Sequence, residues 1–386
     1  MKRGTRYFFA GMIFLPAIFI LGEPGPAEQE QLSEIIPLRG ESRRIIPEQK
    51  PSWLLPAENP VITVAAVGDL MMSSWIIEVV QENGVDFPFD STRQFIKSAD
   101  VAIANLEAPL TAKGERFEDK KYTFKVPPHF VHGIANAGFD VVTMANNHIV
   151  DFGCDGIVNS FAALEEAGIR HCGAGQNRAE ACAPTILDIY GIKVAFIGFS
   201  MTYPEEFWAT QRRCGTCYPT EQLLYEQITQ AERMADLTVV SFHWGAEKHE
   251  SPRAYQQNYG RNAIDFGADL VLGHHPHVLQ GLELYKGKLI VYSLGNYVFA
   301  SYSNAAKTSM VLRARIDPNG LIFAKIIPIN VHNGSINFQP VAFKGVEKHK
   351  VLENLNRISK PLNRGQLIVD DDGYILPSNL TISMNQ

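Results

Sequence analysis

The sequence predicts an α/β domain. Three observations predict it: seven short apolar runs of β-like composition, amphipathic stretches of helical period between several of them, and a polar signature at the end of each run. The runs are Val61–Asp69 (VITVAAVGD), Val101–Glu107 (VAIANLE), Val141–His148 (VVTMANNH), Ile192–Ser200 (IKVAFIGFS), Leu237–Gly245 (LTVVSFHWG), Asp269–His277 (DLVLGHHPH) and Leu289–Asn296 (LIVYSLGN). In a sheet flanked by helices, ligands gather outside the carboxyl ends of the strands, so these endings predict one shared site. Helical spacing predicts helices over Gly156–Ala167, Thr220–Ala235 and Ala254–Phe266.

The chain has 386 residues, 46% of them hydrophobic and 20% charged, enough to bury a large core. Its net charge of −6 and the lack of a Lys and Arg run beyond the N-terminus give no reason to expect nucleic acid as a partner. Residues 1–22 read as a signal peptide or an N-terminal membrane anchor: Lys2, Arg3 and Arg6 precede an apolar run from Tyr7 to Gly22 that is short for a span of ~20 residues. Residues 23–60 are a proline-rich linker with Pro24, Pro26, Pro37, Pro47, Pro51, Pro56 and Pro60. The α/β domain is expected over 61–345. A C-terminal appendage follows at 346–386, with a helix near Lys348–Ile358 and a short hairpin around Asp370–Gly373. Export and a location in the cell envelope, anchored or secreted, follow from this N-terminus.

Five cysteines fit an exported chain. Cys214 and Cys217 form a C-x-x-C that reads as a small disulfide, a redox pair or half of a metal site; Cys172 and Cys182 can pair across a turn, leaving Cys154 over. Ordinary small buried cysteines are the alternative.

The strand endings carry the chemistry. Asp69 offers a hard divalent cation an anionic oxygen, and alternation aims Asn105 and Glu107 to the same side. Asn146, Asn147 and His148 add amide oxygens and an imidazole, with Asp151 three residues on. Of eleven histidines, His148, His243, His274, His275 and His277 fall at strand ends, and packing gives no reason to put them there. Imidazole is the commonest protein metal ligand, and H-x-H on an extended segment points both rings to one face. This set suits Zn, Mn or Fe. Glu247 or Asp151 can orient an imidazole from behind. Gly173-Ala174-Gly175 resembles a phosphate loop without its full pattern and reads better as a turn. Arg116, Lys120, Lys121 and Lys125 lie in a polar stretch read as a solvated loop that can attract an anion.

The ordered set GD, NLEAPLT, ANNHIVDFG, GAG, SFHWGAE, GHHPHVLQG and YSLGNYVF resembles the CapA family of poly-γ-glutamate capsule synthesis proteins over about Ile62 to Val298. That family's domain is similar to the calcineurin-like metallophosphatases. The resemblance implies a four-layer α-β-β-α sandwich with two packed mixed sheets and two divalent ions (Mn, Zn or Fe) at the strand ends. Carried over, it implies Asp69 on one ion, Glu107 bridging, Asn147 and His243 on the second, and His275 and His277 divided between them. His148, oriented by Asp151, would protonate a leaving group. Asn146, His274 and Asn296 are candidate substrate contacts. Two departures stand out: Met71 where the family pattern of the metallophosphatases has a histidine, and Glu107 in place of an aspartate. The implied activity is metal-dependent hydrolysis of a phosphoester or of the polymer's amide bonds. The alternative is a non-catalytic, membrane-associated component that handles an anionic polymer such as poly-γ-glutamate beside membrane synthase subunits.

Overall fold

A computed structural model describes residues 61–377. The signal or anchor and the whole of the linker lie outside the described residues. Two mixed sheets form the domain. The first runs in the order Val341–Ala342, Gly320–Asn330, Thr308–Asp317, Ile62–Met71, Val101–Leu106, Val141–Thr143, Arg170–Cys172. Asn296–Phe299 joins it alongside the end of Ile62–Met71, and Tyr374–Ile375 alongside Gly320–Asn330. The second runs Leu282–Tyr285, Lys288–Val291, Leu270–His274, Leu237–His243, Ile192–Ser200, Thr185–Ile189.

Period-2 alternation explains the layering. Val64, Ala66, Val101 and Ile103 turn to one face of the first sheet and pack with Val194, Phe196, Val239 and Leu272 of the second, forming the core between the sheets. The alternate residues Ala65, Val67, Ala102 and Ala104 face outward to a second cluster that includes Ile76, Val80, Ile134, Ile157 and Leu164 from helices. On the other side Ala195, Ile197, Val240, Phe242 and Val271 meet Leu224, Ile228, Ala263 and Ile264. The result is helix, sheet, sheet, helix, the four layers expected. The three helices expected from spacing run Gly153–Glu166, Glu221–Glu232 and Ala254–Asp265, the second capped by Thr220 Oγ1 accepting from Leu223 N at 3.2 Å. Beyond residue 345, the Gly345–Ser359 helix buries Leu352 and Leu355 in the inter-sheet core, and Asp370–Gly373 is a turn that leads into Tyr374–Ile375. Among the described residues no helix is long and apolar enough to cross a membrane.

Two expected strands end differently. The Val141–His148 run is strand only through Thr143, because Asn146 Oδ1 accepts the N–H groups of His148 (3.0 Å) and Ile149 (2.9 Å) and turns the chain out of the ladder. The Leu289–Asn296 run is two pieces. Lys288–Val291 belongs to the second sheet and Asn296–Phe299 to the first, so the chain changes sheets through Gly295, whose φ of 77° suits glycine. A Cβ on the facing Gly68 would lie 1.8 Å from Gly295 O, so both glycines permit this corner.

The cysteine pairings are corrected. Cys154 bonds Cys214 and Cys182 bonds Cys217, while Cys172 is the buried free thiol, its pKa raised by burial to about 12. Cys214 and Cys217 share a loop but reach different helices, so neither a C-x-x-C bridge nor a metal half-site forms. In the GAG segment only Gly173 bends, and a Cβ there would lie 2.6 Å from Ala145 Cβ; Ala174–Gly175 is a short strand paired with Gly215–Thr216, so the expected turn is corrected. Non-reducing peptide mapping should therefore recover the 154–214 and 182–217 links with Cys172 unmodified, and a 214–217 link would refute this arrangement. Serine replacement of either pair should lower stability by roughly 2–4 kcal/mol in chemical denaturation.

His171 stacks on Phe161 with ring centroids 4.0 Å apart, and burial lowers its pKa to about 4. The unfolded chain takes up this proton near the ordinary value of 6.5, so the stability contributed by neutral His171 is fully present above pH 6.5 and declines as pH falls toward 4. In melting curves across that window, His171→Phe should flatten part of the acid-side loss of stability. An unchanged slope would show that His171 is already charged in the fold.

Candidate metal centre

Strand register assembles the site. In the first sheet Asp69 pairs with Asn105 on one side and Asn296 on the other; in the second, His274 pairs with His243. Asp69, Asn105, His243 and His274 lie at or near the carboxyl ends of their parallel strands, while Asn296 opens the strand Asn296–Phe299. The remaining histidines come from the turn after Leu270–His274. Here the expectation of an extended H-x-H is corrected: His275 and His277 have φ of 91° and 59°, and these left-handed conformations around Pro276 turn the rings inward with centroids 5.8 Å apart.

Ligand atoms of Glu107, His243 and His275 lie within 4.8 Å of one another, and so do those of Asp69, Glu107 and His277. Glu107 is common to both groups. Asn147 Oδ1 stands 2.9 Å from His243 Nε2, adding an amide oxygen to the first of them. Asn105 Nδ2 donates to Asp69 Oδ1 at 2.9 Å and to Glu107 Oε2 at 3.1 Å, and lies 3.3 Å from His243 Nδ1. His277 Nδ1 donates toward Asp69 Oδ2 (3.0 Å) and Asn296 Oδ1 (2.9 Å), leaving Nε2 facing Glu107 Oε1 at 3.7 Å.

The electrostatics are those of crowded, buried charge. Burial raises the Asp69 pKa, but the contacts and charges of His274 and His277 outweigh it and hold the carboxyl well below its usual range. Burial and then the neighbouring Asp69 charge push Glu107 well above the carboxylate range. Burial lowers His243 well below the usual imidazole value, with His275 adding to the effect, and burial lowers His275 to about 3. Burial also opposes charge on His277, but its hydrogen bond and attraction to Asp69 leave it raised. Glu107 Oε1, His275 Nδ1 and both ring nitrogens of His274 are buried with no hydrogen-bond partner. Such orphaned atoms are rare in a folded interior, and here they converge on one place.

Several readings of individual residues change. Met71 is buried in the outer core, and the imidazole nearest Asp69 in the second sheet is His274, whose Nδ1 lies 3.4 Å from Asp69 Oδ1. His274 is only 1% exposed, so it does not present a substrate-facing edge. Asn296 is buried beside His277 and orients that ring, where the sequence suggested a rim residue. Asn146 also has no surface: its Nδ2 donates to Asn105 Oδ1 (3.1 Å) and Leu106 O (2.8 Å), and its Oδ1 closes the turn at His148. Glu247 is exposed and reaches the imidazoles only through its charge. Asp151 lies 2.7 Å from His148 Nδ1.

Sequence reasoning missed Lys120. It is largely buried, and its ammonium contacts Asn147 O, His148 Nδ1 at 2.8 Å and Asp151 Oδ1 at 2.7 Å. The aromatic residues around it, Phe117, Tyr122 and Phe124, were the signal that this stretch is not plain solvated loop. A separate cavity of about 590 Å³, lined in part by Trp208, Tyr218, Arg178 and Arg213, contains none of these ligands.

Asn146→Ala should lower stability by on the order of 3 kcal/mol in denaturant titration, because it strands several buried polar groups. A loss below about 1 kcal/mol would mean that water replaces the amide.

The chain matches the family model described as bacterial capsule synthesis protein PGA_cap over residues 63–301. It is 32% identical over 307 residues to the capsule biosynthesis protein CapA of Bacillus anthracis, covering 78% of this chain and 74% of that one. It is 28% identical over 333 residues to the PGA biosynthesis protein CapA of Bacillus subtilis (strain 168), covering 83% and 87%. Among solved structures it is similar to Haemophilus influenzae NAD nucleotidase, with a TM-score of 0.44 and 11% identity over 78% of this chain and 56% of that one. On the match over most of its folded domain and the identity to the anthracis relative, this chain belongs to the bacterial capsule synthesis protein PGA_cap family.

Proposed function

We propose that the protein is an exported, metal-dependent hydrolase that acts on a phosphoester or on amide bonds of poly-γ-glutamate during capsule production. The observation that carries this reading is Glu107, a fully buried carboxylate shared by two ligand groups, with an oxygen that has no hydrogen-bond partner. The donor set fits divalent cations: carboxylate and imidazole converge, and several of their atoms are orphaned without one. Asp69, Glu107 and His277 would hold one ion, and Glu107, Asn147, His243 and His275 the other. When bound, such ions supply Lewis-acid stabilisation of charge developing on a phosphoryl or acyl oxygen.

The chain's own residues do the rest. Asn105 holds both carboxylates in place, and Asn296 fixes the His277 ring. His148 carries a transferable proton at the edge of the site, with its ring against Phe124 at 4.9 Å and Asp151 behind it. Phe117 and Phe207, 5.0 Å apart, pack beside Lys120 and limit water on that side. The names of the CapA relatives support the capsule polymer as substrate context. The N-terminal sequence and two disulfides support export and membrane association.

Elemental analysis of the full chain loaded with Mn, Zn or Fe should give about two ions per chain, both weakened by Glu107→Ala and one by His277→Ala. Release of phosphate from a model phosphoester, or of glutamate from poly-γ-glutamate, should fall roughly 10²–10⁴-fold in His148→Ala with metal retained. Polymer binding without turnover in wild type and variant alike would replace hydrolysis with polymer handling.

A further inference from the structure

Both disulfides and an aromatic stack frame the cavity of about 590 Å³ that holds none of the metal-site residues. Cys214 follows Arg213, Cys217 precedes Tyr218, and Cys182 closes the helix that Arg178 opens, so the 154–214 and 182–217 links tie down three of the lining residues. Trp208 is fixed as well: its ring stacks on Tyr218 with centroids 4.0 Å apart, and its Nε1 donates to Thr202 O at 2.9 Å. Arg178 N donates to Thr210 O at 2.7 Å, joining that helix to the segment 205–213. Walls braced in this way need little reordering to receive a ligand. The volume falls in the usual range of ~300–1,000 Å³ for small-ligand pockets.

The lining carries both signs of charge. Arg178 and Arg213 supply two guanidiniums, and Glu205, Glu206 and Glu226 supply three carboxylates. Among the described residues no ion pair joins the two sets, and the side chains of Arg178, Glu205 and Glu206 make no hydrogen bond to protein at all. Arg213 spends only Nη2, on Glu205 O (3.2 Å) and Trp208 O (2.9 Å), and Glu226 accepts from Gln222 Nε2 at 2.8 Å. Opposite charges thus share one rigid cavity with their capacity for each other unspent. A purely anionic ligand would meet three carboxylates against two guanidiniums; a ligand bearing an ammonium beside a carboxylate satisfies both sets.

The polymer named above offers that pair of charges at one place. In a γ-linked chain each amide consumes a side-chain carboxyl, so every residue keeps its α-carboxylate but only the first keeps its α-amine, which is mostly charged at neutral pH. We propose that this cavity is a subsite for an α-amino-acid zwitterion and that its occupant is the free amino end of a γ-linked glutamate chain. Arg178 and Arg213 take the carboxylates, the glutamates take the ammonium, and the methylenes lie against the aromatic wall. Phe207, on the same segment but outside the lining, lies 5.2 Å from Lys120, so an end held here starts beside the metal centre. The proposal rests on the polymer context of the reading above and not on hydrolysis.

Isothermal titration calorimetry tests it on the full chain, treated with chelator so that metal ions contribute no binding, with γ-linked triglutamate and its N-acetylated form as probes. Triglutamate should bind. N-acetylation, which removes the ammonium and leaves every carboxylate, should weaken binding roughly 10-fold or more. Glu205→Gln combined with Glu206→Gln should erase that preference, and Arg178→Met should weaken triglutamate by roughly 10-fold; these side chains are exposed, and circular dichroism checks that the fold is kept. Equal binding of the two probes, binding of neither, a preference that survives the double substitution, or unchanged affinity in Arg178→Met overturns the proposal. Selective binding without turnover would sink the hydrolase reading and leave the subsite standing; turnover without selective binding would do the reverse.

Discussion

One side-chain amide holds together what electrostatics would push apart. Asp69 and Glu107 are both fully buried, and the charge on the first raises the pKa of the second. Asn105 Nδ2 donates to both, and Asn105 Oδ1 in turn accepts from Asn146. This places a chain of amides between the carboxylates and the backbone turn that presents Asn147 and His148. Disturbing Asn105 would therefore release the carboxylates and the imidazole turn together, a coupling expected wherever polar groups share one buried network.

The sheets make that crowding tolerable. Parallel register sets Asp69, Asn105 and Asn296 side by side, and the sheet-changing corner at Gly295 lets the second sheet's histidines close over them. Hydrophobic clusters on both faces of each sheet hold the strand ends at this separation. Part of the cost falls at the site itself, where His274 and His275 have ring nitrogens with no hydrogen-bond partner and His275 and His277 are left-handed. Where strain and unmet hydrogen bonds coincide with converging carboxylates and imidazoles, they are the features of a site shaped for a ligand.

Much of the fold was legible because period-2 patterning is a local signal. A residue such as Val64 and its neighbour Ala65 declare opposite faces in the sequence itself, and the two faces prove to be two different cores. The ligand types were legible because histidine and carboxylate at strand ends have few packing reasons to be there. What escaped was everything that depends on who meets whom. Asn146 and Asn147 are adjacent identical residues, yet one staples backbone and the other faces the ligand cluster. Asn296 looked like a rim residue because its burial depends on a strand that changes sheets. Lys120 looked solvated because the residues that bury it, Asn147, Asp151 and Phe207, are distant in sequence.

The two halves of the site rest on different physics. The carboxylate and histidine half is held by sheet register, a property of the deepest part of the fold. The half containing His148, Asp151 and Lys120 is held by loops. Cys154, three residues beyond Asp151, is bonded to Cys214, and the segment leading to Cys214 carries Phe207 against Phe117 and Lys120. Loop contacts open at lower free energy than core strands do, so without that covalent tie this half would be the first to lose its geometry. The disulfide sits within the outer hydrophobic cluster, to which Cys214 and Phe207 belong, and it adds a covalent tie between that cluster and the segment carrying His148 and Asp151.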